Sequence, residues 1–539
     1  MSMKHHCRYT KDMPESRHSV IRWWHLLRYH HTSQLAMRLV RTAHNRMGRM
    51  LWRHCTAHGL PDVPSLRMNS GPAILAEREL TARARREDVC KNAKRVDEGR
   101  YRFLGREIAL PDPLDWRVED AAANQLWRFH LHYHDYLLDL AARTIAEDEP
   151  RWTDRAWSLV LDWIDGNRLE DRRVLNDAWH PYCISRRLPV WVGLFSVAPP
   201  PEPIRERILT SMIWQARYLE RHLEWDLRGN HLLENLRALA ITGSFFEGRD
   251  ADRWLSIANR EFPKQLAEQI LPHGEHFERA PGYHTEMLAA VLDVRDATQA
   301  ILPDLARCCE KAATTMAAFL CVILHPDGDI PLLGDSCLVG RERLEQLLER
   351  AEPHDIRKRS EACKGQRLGD YWLWRQKGDF LLFDAGAVGA DALPAHAHAD
   401  LLTIEASVGG RRLLVDSGVF SYDDEPMRQY CRSTAAHNVL QIDGEDQCDM
   451  WSRFRMGYRG QPSRFNSGQI KDFAWASAAH NAYRRHGVPH VGRWIACRPG
   501  GPWLCVDSAD GAGCHRLTSR LHFHPGVEVR PCADNTLQV

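Results

Sequence analysis

The feature that most constrains the fold of this chain is a change of hydrophobic period near Gly365. From about Asp120 to Glu349, apolar residues recur every three or four positions in Gln125 to Glu147, Arg155 to Asp165, Arg205 to Leu227, His231 to Phe246 and Thr285 to Ile301. That spacing puts the apolar side chains on one face of a helix. Breaker-rich stretches separate the segments: PPPEP near Pro199, GEHFERAPG near Gly274 and HPDGDIPLLGD near Pro326. Many helices of similar length joined by such turns read as paired helices in an α/α array, although no clean internal repeat is present. From about Gly369 the period becomes two and β-formers dominate, as in YWLWRQKGDFLLFDAG, LLTIEASVGGRRLLVDSG and WIACRPGGPWLCVDSADG. Gly409 and Gly410 between two such runs signal a hairpin, and the whole reads as an antiparallel β-sandwich. The expected organisation is multidomain α+β: a basic helical arm over residues 1–95, a helical domain over 96–365 and the sandwich over 366–539.

With 539 residues, the chain is long enough for two or three hydrophobic cores. Its 72 Lys and Arg nearly balance 71 Asp and Glu, so overall charge argues against a nucleic-acid binder. The 29 histidines and 19 tryptophans suit carbohydrate or metal handling. Fifteen cysteines, an odd number with no C-x-x-C pair, read as buried free thiols of a reducing compartment. No apolar run approaches the ~20 residues that span a bilayer. Arg22, His25 and Arg28 interrupt the one apolar cluster near the N-terminus, so no cleavable signal peptide is visible. A cytoplasmic location is therefore expected, with the periplasm as the alternative. Apolar residues at near-helical spacing between Val20 and His54, with Arg and His among them, describe a basic amphipathic helix. Such a helix can lie on an acidic membrane surface, but packing on the rest of the protein is the favoured reading. Nothing indicates the oligomeric state.

Three motifs carry chemistry. Between Pro394 and Asn438, His396 and His398 alternate along what reads as the entry to a strand, which would put both rings on one side. Asp416 closes the next apolar run and His437 follows a loop. Two imidazoles and a carboxylate from this set make a divalent-metal site, zinc being the first choice, and leave one histidine for other work. In the helical part, GNHLLEN (Gly229 to Asn235) places Asn230, His231 and Glu234 on one helix face if a helix starts near Asn230. Such a set can hold an anionic group, while the bland alternative makes Asn230 an N-cap and Glu234 a solvated partner. In EHFERAPGYH (Glu275 to His284), Tyr283 stands at the mouth of the helix that follows. A phenol there can exchange protons if a cation helps it ionise. His130, His132 and His134 look metal-like, but spacing by two on a helix makes them diverge, so they read as structural or cleft-lining.

In combination and in order, N-H-L-x-E-N, a Tyr after A-P-x, H-x-H-A-D, L-x-D-x-G-x-x-x-Y and R-S-T-x-x-H-N resemble the heparinase II/III-like polysaccharide lyases, over about Asp115 to the C-terminus. The resemblance implies an incomplete (α/α) toroid followed by an antiparallel β-sandwich, with the active site between them. It implies that Asn230, His231 and Glu234 neutralise a uronic carboxylate, Glu234 as the protonated acid. Tyr283 would act as base and acid, and His396 would stand at the reacting carbon. His398, Asp416 and His437 would bind a structural metal, usually zinc. Tyr422 would contact sugar, and Arg432 and Trp179 are further substrate-binding candidates. The implied activity is β-elimination on an acidic polysaccharide: loss of the C5 proton of a uronic acid and expulsion of the C4 oxygen. The basic arm resembles, more weakly, heparinase-like proteins of bacterial polysaccharide synthesis loci, so an acidic exopolysaccharide or capsule intermediate is as good a substrate as heparin. Two alternatives stand beside it: a glycoside hydrolase using Glu278 with Asp335, and a silent glycan-binding protein of a polysaccharide assembly system.

Overall fold

The computed structural model describes residues 22–25, 28–30, 32–40, 65–67, 71–120, 122–351, 364–423, 425–532 and 537–538. By backbone packing these form two compact units. One is helical and runs from residue 33 to 331 and from 336 to 351; the other is built on β-sheets and takes residues up to 32, residues 332–335 and those from 364 onward.

The helical unit contains α1 (Gly71–Ala84), α2 (Glu87–Asp97), α3 (Gln125–Tyr133), α4 (Asp135–Glu147), α5 (Arg151–Gly166), α6 (Pro181–Val197), α7 (Glu202–Arg221), α8 (Gly229–Phe245), α9 (Arg249–Gln269), α10 (Pro281–Thr298), α11 (Pro303–Ile323) and α12 (Arg341–Ala351). A hairpin, β1 (Arg100–Phe103) with β2 (Arg106–Ala109), interrupts them. Its core takes up a large share of the tryptophans: Trp127, Trp152, Trp157, Trp163, Trp191 and Trp254 are fully buried. Helix α8 packs on α6, α9 and α10. Surrounded on several sides, it is apolar around most of its circumference, as Leu232, Leu233, Leu236, Leu239 and Ile241 show. Its buried polar residues, Asn230, Glu234 and Asn235, must therefore be partnered inside the protein.

In the other unit, β3 (Lys364–Leu368), β4 (Tyr371–Gln376), β5 (Asp379–Asp384), β6 (Ile404–Val408) and β7 (Arg411–Leu414) form an antiparallel five-stranded sheet in sequence order. A four-stranded antiparallel sheet follows β8 (Leu440–Ile442), β9 (Cys448–Trp451) and β10 (Arg455–Arg459): β11 (Pro462–Ile470), β12 (Phe473–His480), β13 (His490–Cys497) and β14 (Leu504–Asp510). Trp372, Trp374, Leu381 and Phe383 of the first sheet share one core with Ala474, Ala476, Ala478 and Ile495 of the second. Large rings on β4 meet small alanines on β12, which lets the two faces close as a sandwich. Gly409 (φ 56°) and Gly410 (φ 85°) turn the β6–β7 hairpin, as their two positive φ values allow without a Cβ penalty.

Part of the basic arm packs on the β9–β10 hairpin. Arg22 pairs with Asp449 at 3.1 Å, Trp23 meets Trp451 edge-on at 6.4 Å, and the Arg455 guanidinium lies 4.9 Å from the Trp23 ring centre. These residues follow the packed reading; the stretch from 41 to His54 lies outside the described residues. No described helix is long and apolar enough to cross a membrane. The described cysteines are all free thiols, including the neighbours Cys308 and Cys309.

Candidate active site and metal centre

Helix α8 starts abruptly. Arg228 (φ 61°) and Gly229 (φ 52°) carry the chain into it through positive φ. Asn230 is the second residue of the helix and not its N-cap. Glu278, buried in the loop before α10, does the capping work: its Oε1 accepts the Asn230 N–H at 3.3 Å, at the positive end of the helix dipole.

His231 stands next to Asn230. Its Nδ1 lies 3.1 Å from Glu224 Oε1, and its ring is 4.3 Å from that of Tyr182. The His231 side chain is 30% exposed, while Glu224 is 0% exposed. A buried carboxylate needs donors: beside His231 on Oε1, Asn235 Nδ2 donates to Glu224 Oε2 at 3.1 Å, while Asn235 Oδ1 accepts the Glu224 backbone N–H at 2.9 Å and so fixes the residue that bears it. Asn235 Nδ2 also donates to Ser185 Oγ at 2.7 Å. The last residue of the GNHLLEN motif thus holds the carboxylate that holds its histidine. Sequence reading missed Glu224, which lies in a loop without a pattern of its own, and Tyr182.

Glu234 is not a solvated partner. Arg186 donates to its Oε1 at 3.3 Å and Arg237 to its Oε2 at 2.9 Å. With a guanidinium on each oxygen it is a buried ion-pair partner, which departs from the protonated acid implied by the resemblance. Tyr283 is the third residue of α10 and is half-buried. Ser336 Oγ accepts the N–H of the preceding Gly282 at 3.0 Å. The neighbouring His284 accepts the His276 N–H on Nδ1 at 3.2 Å and donates from Nε2 to the Met316 carbonyl at 3.1 Å. Burial pushes its pKa down to about 3, which keeps this two-sided brace neutral. His132 and His134 are structural: each accepts an indole N–H on Nδ1, from Trp163 at 3.2 Å and Trp191 at 2.9 Å.

In the sandwich unit, the segment around His396 and His398 is a loop of turns, and β6 begins only at Ile404. Strand alternation therefore does not apply, and the two rings enter different surroundings. The His396 ring is 6.4 Å from Tyr422 and 6.5 Å from Phe454. The His398 ring is 5.3 Å from His437.

His398, Asp416 and His437, all buried, can each offer a ligand atom within 4.8 Å of the others. Asp416 Oδ2 accepts from His437 Nδ1 at 2.7 Å, and Asp335 Oδ1 accepts from His398 Nε2 at 2.8 Å. The opposite ring nitrogens, His398 Nδ1 and His437 Nε2, are buried with no hydrogen-bond partner. Two orphaned imidazole nitrogens beside a carboxylate fit a divalent cation, and the donor types suit zinc. Burial lowers the His398 pKa to about 4 against the pull of Asp335, leaving the neutral ring that a metal requires. Burial also opposes the charged form of His437, yet the Asp416 carboxylate carries its pKa upward overall.

The remaining expectations divide. Tyr422 lies beside His396, stacked on Phe454 at 5.8 Å, with the Arg428 guanidinium 5.0 Å from its ring centre. Phe454 is 40% exposed and had no signal in the sequence. Trp179 is 5% exposed, and its indole N–H donates to the Asn167 carbonyl at 2.7 Å, so it is a core residue and not a sugar contact. Arg432 is fully buried and donates to the Ser452 carbonyl at 3.1 Å; it braces the chain near β9. The hydrolase candidates Glu278 and Asp335 both have partners inside the protein. Glu278 is engaged at the start of α8, and Asp335 is held well below the usual carboxylate range, because hydrogen bonds from His398 and Arg428 outweigh its burial.

The chain matches the family model described as "Heparinase II/III N-terminus" over residues 77–353 and that described as "Heparinase II/III-like, C-terminal" over residues 360–538. It is 26% identical over 369 residues to a heparin-sulfate lyase of Pedobacter heparinus, covering 62% of this chain and 54% of that protein. It thus spans about half the length of this curated relative. The crystal structure of a heparinase III superposes with a TM-score of 0.67 at 17% identity, over 88% of this chain and 76% of the other. A mutant heparan sulfate lyase of Pedobacter heparinus superposes with a TM-score of 0.58 at 18% identity, over 81% and 71%. These likenesses carry the fold, an (α/α) toroid with a β-sandwich, and the family models cover nearly all of both units. The chain belongs to the heparinase II/III family.

Proposed function

We propose that this protein is a polysaccharide lyase that cleaves a uronic-acid-containing glycan by β-elimination. The observation that carries the reading is the His231–Glu224 bond at the start of α8: an accessible imidazole, tilted against the Tyr182 ring, has Nδ1 fixed by a fully buried carboxylate. A ring held this way by Nδ1 presents its Nε2 edge in one orientation. The C5 proton of a uronic acid is weakly acidic because the adjacent carboxylate already carries charge. Donors placed on that carboxylate let the developing enolate charge spread, and each can contribute about 3 kcal/mol. Asn230 supplies such a donor, and so does His231 in its imidazolium form, whose charge Glu224 balances. Arg186, anchored on Glu234, supplies a cation in place of a protonated acid. Tyr283 takes the C5 proton and returns it to the C4 oxygen as the bond breaks, leaving a double bond between C4 and C5.

His396 is assigned the role of base for the opposite uronic epimer, and Tyr422 that of a sugar contact. His398, Asp416 and His437 would hold a structural divalent cation, zinc first, whose chemistry is to cross-link the loops that bear them. The substrate class is an acidic glycan of the kind named for the relatives or a bacterial exopolysaccharide or capsule polymer. Incubation with a panel of acidic polysaccharides tests the reading by ultraviolet absorbance of the unsaturated uronyl product. Growth of absorbance that Tyr283→Phe abolishes is expected; new reducing ends without absorbance would overturn it in favour of hydrolysis.

A further inference from the structure

Buried beside the three metal-ligand candidates is a carboxylate that none of the site's assigned roles uses. Asp335 lies 0% exposed, and its Oδ1 accepts from His398 Nε2 at 2.8 Å. Its other oxygen takes the second arm of Arg428, Nη2 to Oδ2 at 2.8 Å, while Arg428 Nη1 bonds Oδ1. Arg428 is itself fully buried and is fixed from behind by the Arg453 carbonyl, 3.1 Å from Nε. The backbone closes the arrangement: the Asp335 N–H donates to the His396 carbonyl at 3.0 Å, so the loop carrying both histidines is held at two points by one residue.

We propose that Asp335, oriented by Arg428, is the outer-shell carboxylate of the metal centre, a positioning residue that sets the tautomer and aim of His398. An ionised carboxylate can only accept, so it keeps the His398 proton on Nε2. The lone pair then resides on Nδ1, the buried nitrogen that lacks a hydrogen-bond partner within the protein. A carboxylate behind a ligating imidazole raises its basicity and fixes its plane, and loss of such a partner typically weakens metal binding about 10- to 100-fold. The bidentate Arg428 grip prevents Asp335 from rotating away or entering the ligand set itself. Asp416 has the corresponding place on His437, but as a member of the ligand cluster it cannot be the outer partner of both rings.

This inference rests on the metal reading of His398, Asp416 and His437, and the experiment separates the two. Purified full-length wild type, Asp335→Asn and Arg428→Lys are stripped of metal, checked for native circular dichroism and titrated with zinc against a chromophoric chelator. Wild type is expected to bind one zinc, with Asp335→Asn about 10- to 100-fold weaker and Arg428→Lys in between. Cobalt-substituted wild type should show a hyperfine-shifted exchangeable proton from His398 Nε2, which Asp335→Asn shifts or exchanges rapidly with solvent. A merely structural salt bridge would lower the melting temperature of the metal-free variants and leave zinc affinity and that proton unmoved, which overturns the proposal. Absence of zinc binding by wild type would overturn it together with the metal reading. If Asp335→Asn does not fold, Arg428→Lys and the wild-type cobalt spectrum decide: full affinity in the first and no shifted exchangeable proton in the second reject the assignment.

Discussion

Glu224 and His231 are joined at 3.1 Å between a fully buried carboxylate and a partly exposed imidazole, seven residues apart. The chain between them turns through Arg228 and Gly229 at positive φ, so one tight corner creates the pair. Replacing Glu224 with Gln keeps the volume but loses the charge-assisted bond and turns an amide toward either His231 or Asn235. We expect the rate of uronyl product formation to fall by about 10- to 100-fold, the scale of one misoriented catalytic group. Steady-state rates at saturating glycan check this; an unchanged rate in a natively folded variant would remove His231 from the chemistry.

Glu234 separates two roles by their thermodynamics. Held between Arg186 and Arg237, it should leave Arg186 without its nearest carboxylate when changed to Gln, while Arg237 keeps Asp293 at 2.9 Å, at a cost of about 3 kcal/mol in stability. Denaturant unfolding measures that cost. A Glu234→Gln protein with wild-type stability but no activity would instead restore the protonated-acid role.

Acid should weaken the fold well before the carboxylates titrate. Burial holds His398 and His130 at about 4, and His284 and His480 at about 3, against an unfolded value of about 6.5. Between those limits the unfolded chain binds protons that the native protein refuses, so stability falls as pH drops below about 6.5. Each such group can remove about 1.4 kcal/mol per pH unit until its folded pKa is reached. His437, with its pKa raised, works the other way and offsets part of the loss. Melting temperatures of the metal-free protein between pH 7.5 and 4.5 should fall steadily; a flat profile would contradict neutral burial of these rings.

Trp179→Ala should act on stability and not on substrate. Removing a buried indole with a satisfied N–H costs about 3 to 5 kcal/mol. The folded fraction should keep its KM, whereas Phe454→Ala, at an exposed ring stacked on Tyr422, should raise KM by several-fold with little loss of stability. Kinetics corrected for folded fraction distinguish the two, and a KM rise in Trp179→Ala alone would return that residue to the substrate.

The amino-acid sequence determined what depends on neighbours along the chain. Period three-to-four against period two separated the helical part from the sheets, because burial of one face imposes its repeat on the sequence. The Gly409–Gly410 turn was equally legible, since only a few residues accept positive φ there. The grouping of His398, Asp416 and His437 was legible as a set of residue types, but its surroundings were not. His396 and His398 looked like strand neighbours sharing a face, and only the tertiary structure revealed a loop, where alternation has no force.

The tertiary structure alone decided which polar groups meet. Asp335 reaches His398 across 63 residues and Arg428 across 93, and no local pattern records such a pairing. It also decided exposure, which moved Trp179 and Arg432 from substrate contacts to internal supports. A sequence lists donors and charges, but their chemistry depends on desolvation and on partners brought from elsewhere in the chain. Folding supplies both.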